Sequence, residues 1–67
     1  MSEINWENIP DEVQAVGITP RTTHWYKMNG SVLMHNTPES GYWDRSMYRD
    51  IDDAAGDTWI VFERRGE

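Results

Sequence analysis

The sequence predicts a small α+β domain, a twisted antiparallel sheet of three to four strands with one short N-terminal helix. Three observations carry this reading. Asn29-Gly30 lies between two strand-forming runs, and that dipeptide suits a two-residue type I′ turn because both central residues need positive φ. Thr58-Trp-Ile-Val-Phe-Glu-Arg64 is a β-branched and aromatic run entered from Gly56-Asp57, which is strand chemistry. The chain has 67 residues and no cysteine. Residues 1–67 therefore form one domain, able to bury only about 60% of its unfolded surface and held by aromatic burial instead of cross-links.

Residues 1–9 contribute Ile4, Trp6 and Ile9, an apolar set suited to a short extended arm, with residues 1–5 and, at the other end, 65–67 expected to fray. In Ile9-Pro-Asp-Glu-Val-Gln-Ala-Val-Gly17, Pro10 suits a first helical position, Asp11 and Glu12 suit the positive end of a helix dipole, and Gly17 suits a stop. This predicts one or two helical turns with Val13 and Val16 toward the sheet; a turn-rich loop is the alternative. Pro20 biases Thr19 to extended backbone.

The hairpin follows. With Asn29-Gly30 as the loop, Met28 pairs with Ser31, Tyr26 with Leu33, Trp25 with Met34 and His24 with His35. One face then carries Trp25, Lys27, Val32 and Met34, the other His24, Tyr26, Met28, Leu33 and His35. Apolar groups on both faces call for two coverings, the helix on one and the C-terminal segment or a partner on the other. After the 36–41 loop, Tyr42–Arg49 alternates as a third strand. Asp50–Asp57 reads as an acidic loop or a single helical turn, and the strand at 58–64 is expected at the centre of the sheet.

Twelve Asp and Glu against six Lys and Arg give a net charge of −6. This argues against direct nucleic-acid binding, which needs a basic face, and favours a partner with a basic surface. No apolar run approaches the roughly 20 residues of a membrane span and no signal peptide is evident at the N-terminus, so no membrane association and a cytoplasmic location are expected.

Three constellations bear on function. His24 and His35 fall on one hairpin face, half of a metal site at most, and no spacing specifies further ligands; no metal, cofactor or catalytic residue is predicted. Asp50, Asp52, Asp53 and Asp57 resemble a calcium loop in composition, but Ala54 stands where an acid is wanted. With Asp44 they form an acidic patch able to imitate phosphates, interrupted by Arg45 and Arg49. Trp25, Tyr26, Trp43 and Tyr48 belong to the residue types enriched at binding hot spots, and are the candidate partner-binding anchors beside Asp44, Asp50, Asp52 and Asp53.

The order Ile4-Asn-Trp6…Ile9-Pro10, Thr23-His24-Trp25-Tyr26-Lys27, Asn29-Gly30 and Trp43 resembles a loose pattern in small uncharacterised proteins of tailed bacteriophages. In those, a Trp-x-x-(small or apolar)-Pro opening precedes a Thr-His-(aromatic) strand and a hairpin tipped by Asn-Gly or Asp-Gly. The resemblance spans roughly residues 4–43 and departs between Pro10 and Thr22. It implies a phage accessory protein acting in the cytoplasm of an infected bacterium, and transfers no catalytic residue. The expected function is therefore non-enzymatic: binding, and inhibition, of a bacterial host protein. A self-assembling structural module or homodimer is the alternative, and a histidine-based metal protein ranks third.

Overall fold

A computed structural model describes residues 4–37 and 39–66. Five strands, β1 (Ala15–Ile18), β2 (Thr23–Asn29), β3 (Val32–Asn36), β4 (Asp44–Arg45) and β5 (Val61–Arg64), build one antiparallel sheet in the order β4-β3-β2-β1-β5. One helix, α1 (Ile51–Ala55), and a 3-10 turn at Trp6–Asn8 complete the described elements. The fold is thus mixed α+β, with five strands where three to four were expected.

The expected N-terminal helix does not form, and α1 falls instead in the 50–57 segment, where a single helical turn was the alternative to a loop. Residues 10–13 form a turn closed by the Val13 N–H donating to the Pro10 carbonyl at 3.0 Å, and 15–18 are strand. The helix-start signals at Pro10-Asp11-Glu12 are real, but too few residues follow to nucleate a helix. Ala15–Ile18 instead pairs on both sides, with β2 and β5. Gly17 is no helix stop; it meets the Trp59 ring. The strand expected at the centre, β5, is an edge strand beyond β1, and the third strand expected over 42–49 shrinks to Asp44–Arg45.

The hairpin forms with a different loop. Asn29 pairs with Val32, Met28 with Leu33 and Tyr26 with His35, so Gly30-Ser31 is the two-residue connection. Gly30 has φ +64° and no described non-glycine residue has positive φ, which fits a type II′ turn with glycine first instead of type I′. Each cross-strand partner moves by two residues, and because side chains alternate with period two the predicted faces survive.

Both faces are covered by the chain itself. On one, Ala15, Tyr26 and Leu33 pack with Ala54 of α1, flanked by Met28, Tyr48, Ile51, Trp59 and Phe62. On the other, Val16 packs with Ile4 and Val13 from the N-terminal segment, flanked by Trp6, Ile9, Trp25 and Trp43. Ile4, inside the stretch expected to fray, is 7% exposed. Residues 1–3 and 67 lie outside the described residues. At the other end the Arg65 guanidinium donates to the carbonyls of Val13 at 2.7 Å and Pro10 at 2.8 Å and lies 4.5 Å from the Trp6 ring centre, clasping the N-terminal segment to the end of β5.

α1 owes its start to two aspartates. Asp50 is the N-cap and accepts from the Asp53 N–H at 2.8 Å, while the Asp53 carboxylate accepts from the Arg49 N–H at 2.9 Å. A helix of five residues has no independent stability, so loss of the cap should be felt by the whole domain. Asp50→Ala is expected to lower the unfolding free energy by about 1 kcal/mol in urea denaturation; an unchanged midpoint would show that tertiary packing alone holds the helix.

Candidate functional site

The candidate anchors do not converge on one surface. Trp25 lies on β2 facing the N-terminal segment and is half-buried. Trp43 is on the same side, half-buried, with its indole N–H donating to Glu12 at 3.0 Å and Lys27 Nζ 4.4 Å from its ring centre; Lys27 also pairs with Glu12 at 3.5 Å. Tyr26 and Tyr48 belong to the opposite face. Tyr26 is only 2% exposed, which removes it as a surface anchor: its ring is core. The sheet separates the two pairs, because Trp25 and Tyr26 are adjacent on one strand and point to opposite sides.

The acidic residues are partly spent on structure. Asp50 and Asp53 serve the start of α1, and Asp52 pairs with Arg64. Asp44 is exposed on β4 and accepts from the Arg45 N–H at 2.8 Å. The large apolar side chains most exposed to solvent are none of the predicted anchors: Met47 is 91% exposed, Tyr42 64% and Ile60 63%. Tyr42 and Met47 bracket β4.

A cleft of about 370 Å³ lies on the α1 side of the sheet, within the roughly 300–1,000 Å³ range of small-molecule sites. His24, Tyr26 and His35 stand near-parallel along it, with ring centres 6.2–6.5 Å apart. Trp59 meets Tyr26 edge-on at 6.0 Å and 83°, and Tyr48 meets it at 6.4 Å and 64°. Asp57 and Met47 also line it. A larger, more polar groove of about 620 Å³ runs alongside, past Arg45, Arg49 and Asp53.

Sequence reasoning brought the two histidines to one face but missed Trp59, whose ring centre lies 5.8 Å from that of His24. The signal was faint: Trp59 enters the cleft from the segment before β5, which no hairpin register specifies.

The electrostatics of the cleft are set by Tyr48 and Asp57. The Tyr48 hydroxyl donates to the Asp57 carboxylate, which also accepts from the Thr58 N–H at 2.7 Å. These bonds hold the Asp57 carboxyl below its usual range, the Tyr48 contact contributing most. The same contact, with some burial, pushes the Tyr48 phenol up to about 12. Burial, more than any neighbouring charge, raises Tyr26. At neutral pH the cleft therefore presents two uncharged phenols and one carboxylate. Among the described residues no three His, Cys, Asp or Glu gather as a metal site.

His24 lies below its ordinary value of 6.5, first through burial and then through repulsion from His35, and its Nδ1 is buried without a hydrogen-bond partner. Between the lowered folded value and 6.5 the unfolded chain binds more protons than the folded one, so stability falls as pH falls through that window. Thermal unfolding is expected to move to lower temperature as pH drops from about 7.5 to below the ordinary histidine value of 6.5, and His24→Gln should flatten this part of the profile. A wild-type profile already flat there would contradict the assignment.

Comparison with known protein families, with curated proteins and with solved structures finds no match for this chain. Among the described residues no helix is long and apolar enough to cross a membrane.

Proposed function

We propose that this chain is a non-catalytic accessory protein of the phage type that binds, and inhibits, a bacterial host protein carrying a basic surface. The observation that carries the reading is how the charges are used. Three of the six Lys and Arg are engaged within the fold: Lys27 with Glu12 and Trp43, Arg64 with Asp52, and Arg65 with two carbonyls and Trp6. Asp11, Glu39 and Asp44 stand exposed outside. An acidic exterior steers encounter with a basic partner and discourages nucleic acid.

Affinity then comes from the β4 edge. Tyr42 and Met47 supply exposed apolar contact on either side of Asp44, with Trp43 and Tyr48 half-buried next to them in sequence. Tagged protein incubated in bacterial lysate at low salt is expected to retain one host protein in stoichiometric amount and to release it as salt rises, read by mass spectrometry. An empty capture at low salt would remove this reading and leave self-association, which sedimentation at several concentrations would then reveal.

A further inference from the structure

We propose that Asn29-Gly30, at the tip of the β2–β3 hairpin, is a self-modifying site: the Gly30 backbone nitrogen attacks the Asn29 side-chain amide, and water opens the resulting succinimide to aspartate or isoaspartate. The inference goes beyond binding of a host protein and does not depend on it. The reacting groups belong to adjacent residues and close a five-membered ring, so their proximity is covalent and asks no contact of the fold. What the fold decides is whether the nitrogen is free to react.

Three observations leave it free. Asn29 and Gly30 are both exposed, at a loop tip where solvent reaches the backbone. Among the described residues no hydrogen bond takes up the Gly30 N–H or the Asn29 side-chain amide. Glycine has no Cβ to hinder attack, and the space where one would stand is open, with nothing within 4 Å. The other three asparagines, Asn5, Asn8 and Asn36, precede Trp6, Ile9 and Thr37, whose side chains crowd the attacking nitrogen. The Ile9 N–H is also held by the Trp6 carbonyl at 3.2 Å, and Asn36 Oδ1 accepts from the Ser40 hydroxyl at 3.3 Å.

Hydroxide removes the Gly30 amide proton, the nitrogen bonds to Asn29 Cγ, and the Cγ–Nδ2 bond breaks to release ammonia. Water then adds to one imide carbonyl. Cleavage between Gly30 N and Asn29 Cγ leaves aspartate; cleavage between Gly30 N and the Asn29 backbone carbonyl carbon leaves isoaspartate, whose main chain runs through Cβ. No redox partner is needed, and either product adds one negative charge to a chain at −6. The products differ in what they do to the sheet. Aspartate keeps the main chain, whereas isoaspartate adds a main-chain carbon inside the Asn29–Val32 pair that closes the hairpin, where spacing fixes the register. The next pair is Met28 with Leu33, and Leu33 is 1% exposed in the core. Because β2 is the middle strand of the five, the site acts as a slow timer on the fold.

Wild-type protein, folded and, as a reference, unfolded in guanidinium, is held at mildly alkaline pH in heavy-oxygen water and its digests are read by mass spectrometry. Loss of the amide and uptake of one heavy oxygen are expected at Asn29 in both states, faster as hydroxide rises, while Asn5, Asn8 and Asn36 of the folded protein keep their amides over the same period. Asn29→Gln, which would have to close a six-membered ring, should keep its amide as well. Conversion in the unfolded chain alone would overturn the proposal, because the hairpin would then hold the site closed, and so would loss at Asn29 no faster than at the other three asparagines. The isoaspartate form, separated by chromatography, is then unfolded in urea beside Asn29→Asp. It should show the lower midpoint of the two; equal midpoints would remove the timer. The comparison of the four asparagines needs no variant, so it stands even if a substitution disturbs folding.

Discussion

Replacing Tyr26 by alanine is expected to cost about 3–5 kcal/mol, a large part of what a chain of this length has. Marginal stability of roughly 0.05–0.15 kcal/mol per residue gives a 67-residue domain about 3–10 kcal/mol in total. Tyr26 is 2% exposed on β2, the middle strand of five. Its ring centre lies 6.0 Å from those of Trp59 and Phe62 and 6.4 Å from that of Tyr48, so truncation opens a void that a rigid sheet cannot close. Urea unfolding followed by tryptophan fluorescence should find Tyr26→Ala largely unfolded before denaturant is added. Trp25→Ala, half-buried on the opposite face, should remain folded with a lower midpoint. A Tyr26→Ala variant losing less than about 1 kcal/mol would contradict the burial and restore Tyr26 as a surface anchor.

Gly17→Val is the second large effect, for the opposite reason. A Cβ at Gly17 would stand 2.7 Å from both Cε3 and Cζ3 of Trp59, well inside van der Waals contact. The indole cannot easily swing away, because its N–H is bonded to the Ala54 carbonyl at the end of α1 and its ring abuts Tyr26 and Phe62. Overpacking of this kind costs about 1–3 kcal/mol, more than the strand preference of valine returns. The strain should be relieved by shrinking the facing ring: the loss in Gly17→Val/Trp59→Leu should be smaller than the sum of the two single losses in a double-mutant cycle. Strict additivity would mean that the two residues do not meet.

These two sites show what the sequence displayed and what it hid. The hairpin was legible from its alternation, and its faces held even though the loop moved from Asn29-Gly30 to Gly30-Ser31, because a two-residue shift leaves side-chain parity intact. The burial of Val13 and Val16 was also legible, though their backbone was not: a short apolar spacing fits a helix turn or a turn leading into a strand, and pairing with β2 and β5 decided it. Gly17 looked like helix punctuation because nothing local announces a tryptophan 42 positions later lying on its backbone.

The anchors were harder still. Aromatic residues are used both for cores and for interfaces, and residue type alone does not separate Tyr26, which is core, from Tyr42, which is exposed. In the acidic segment, composition suggested a solvated patch, whereas Asp50 and Asp53 turn out to cap α1. Beyond His24, Tyr26 and His35, which the hairpin placed on one face, the cleft was not legible, since Asp57 and Trp59 reach it only once the 46–60 segment folds over the sheet.

The reading as a binding protein stands or falls on steering by surface acids, and one measurement addresses it directly. The association rate of the captured host protein is to be compared between wild type and the Asp11→Asn/Glu39→Gln/Asp44→Asn variant across a range of salt, these three residues being exposed and taking no part in the cap of α1. The account predicts a slower association for the variant at low salt, a shallower salt dependence, and a largely unchanged dissociation rate. Equal association rates with equal salt slopes would contradict it.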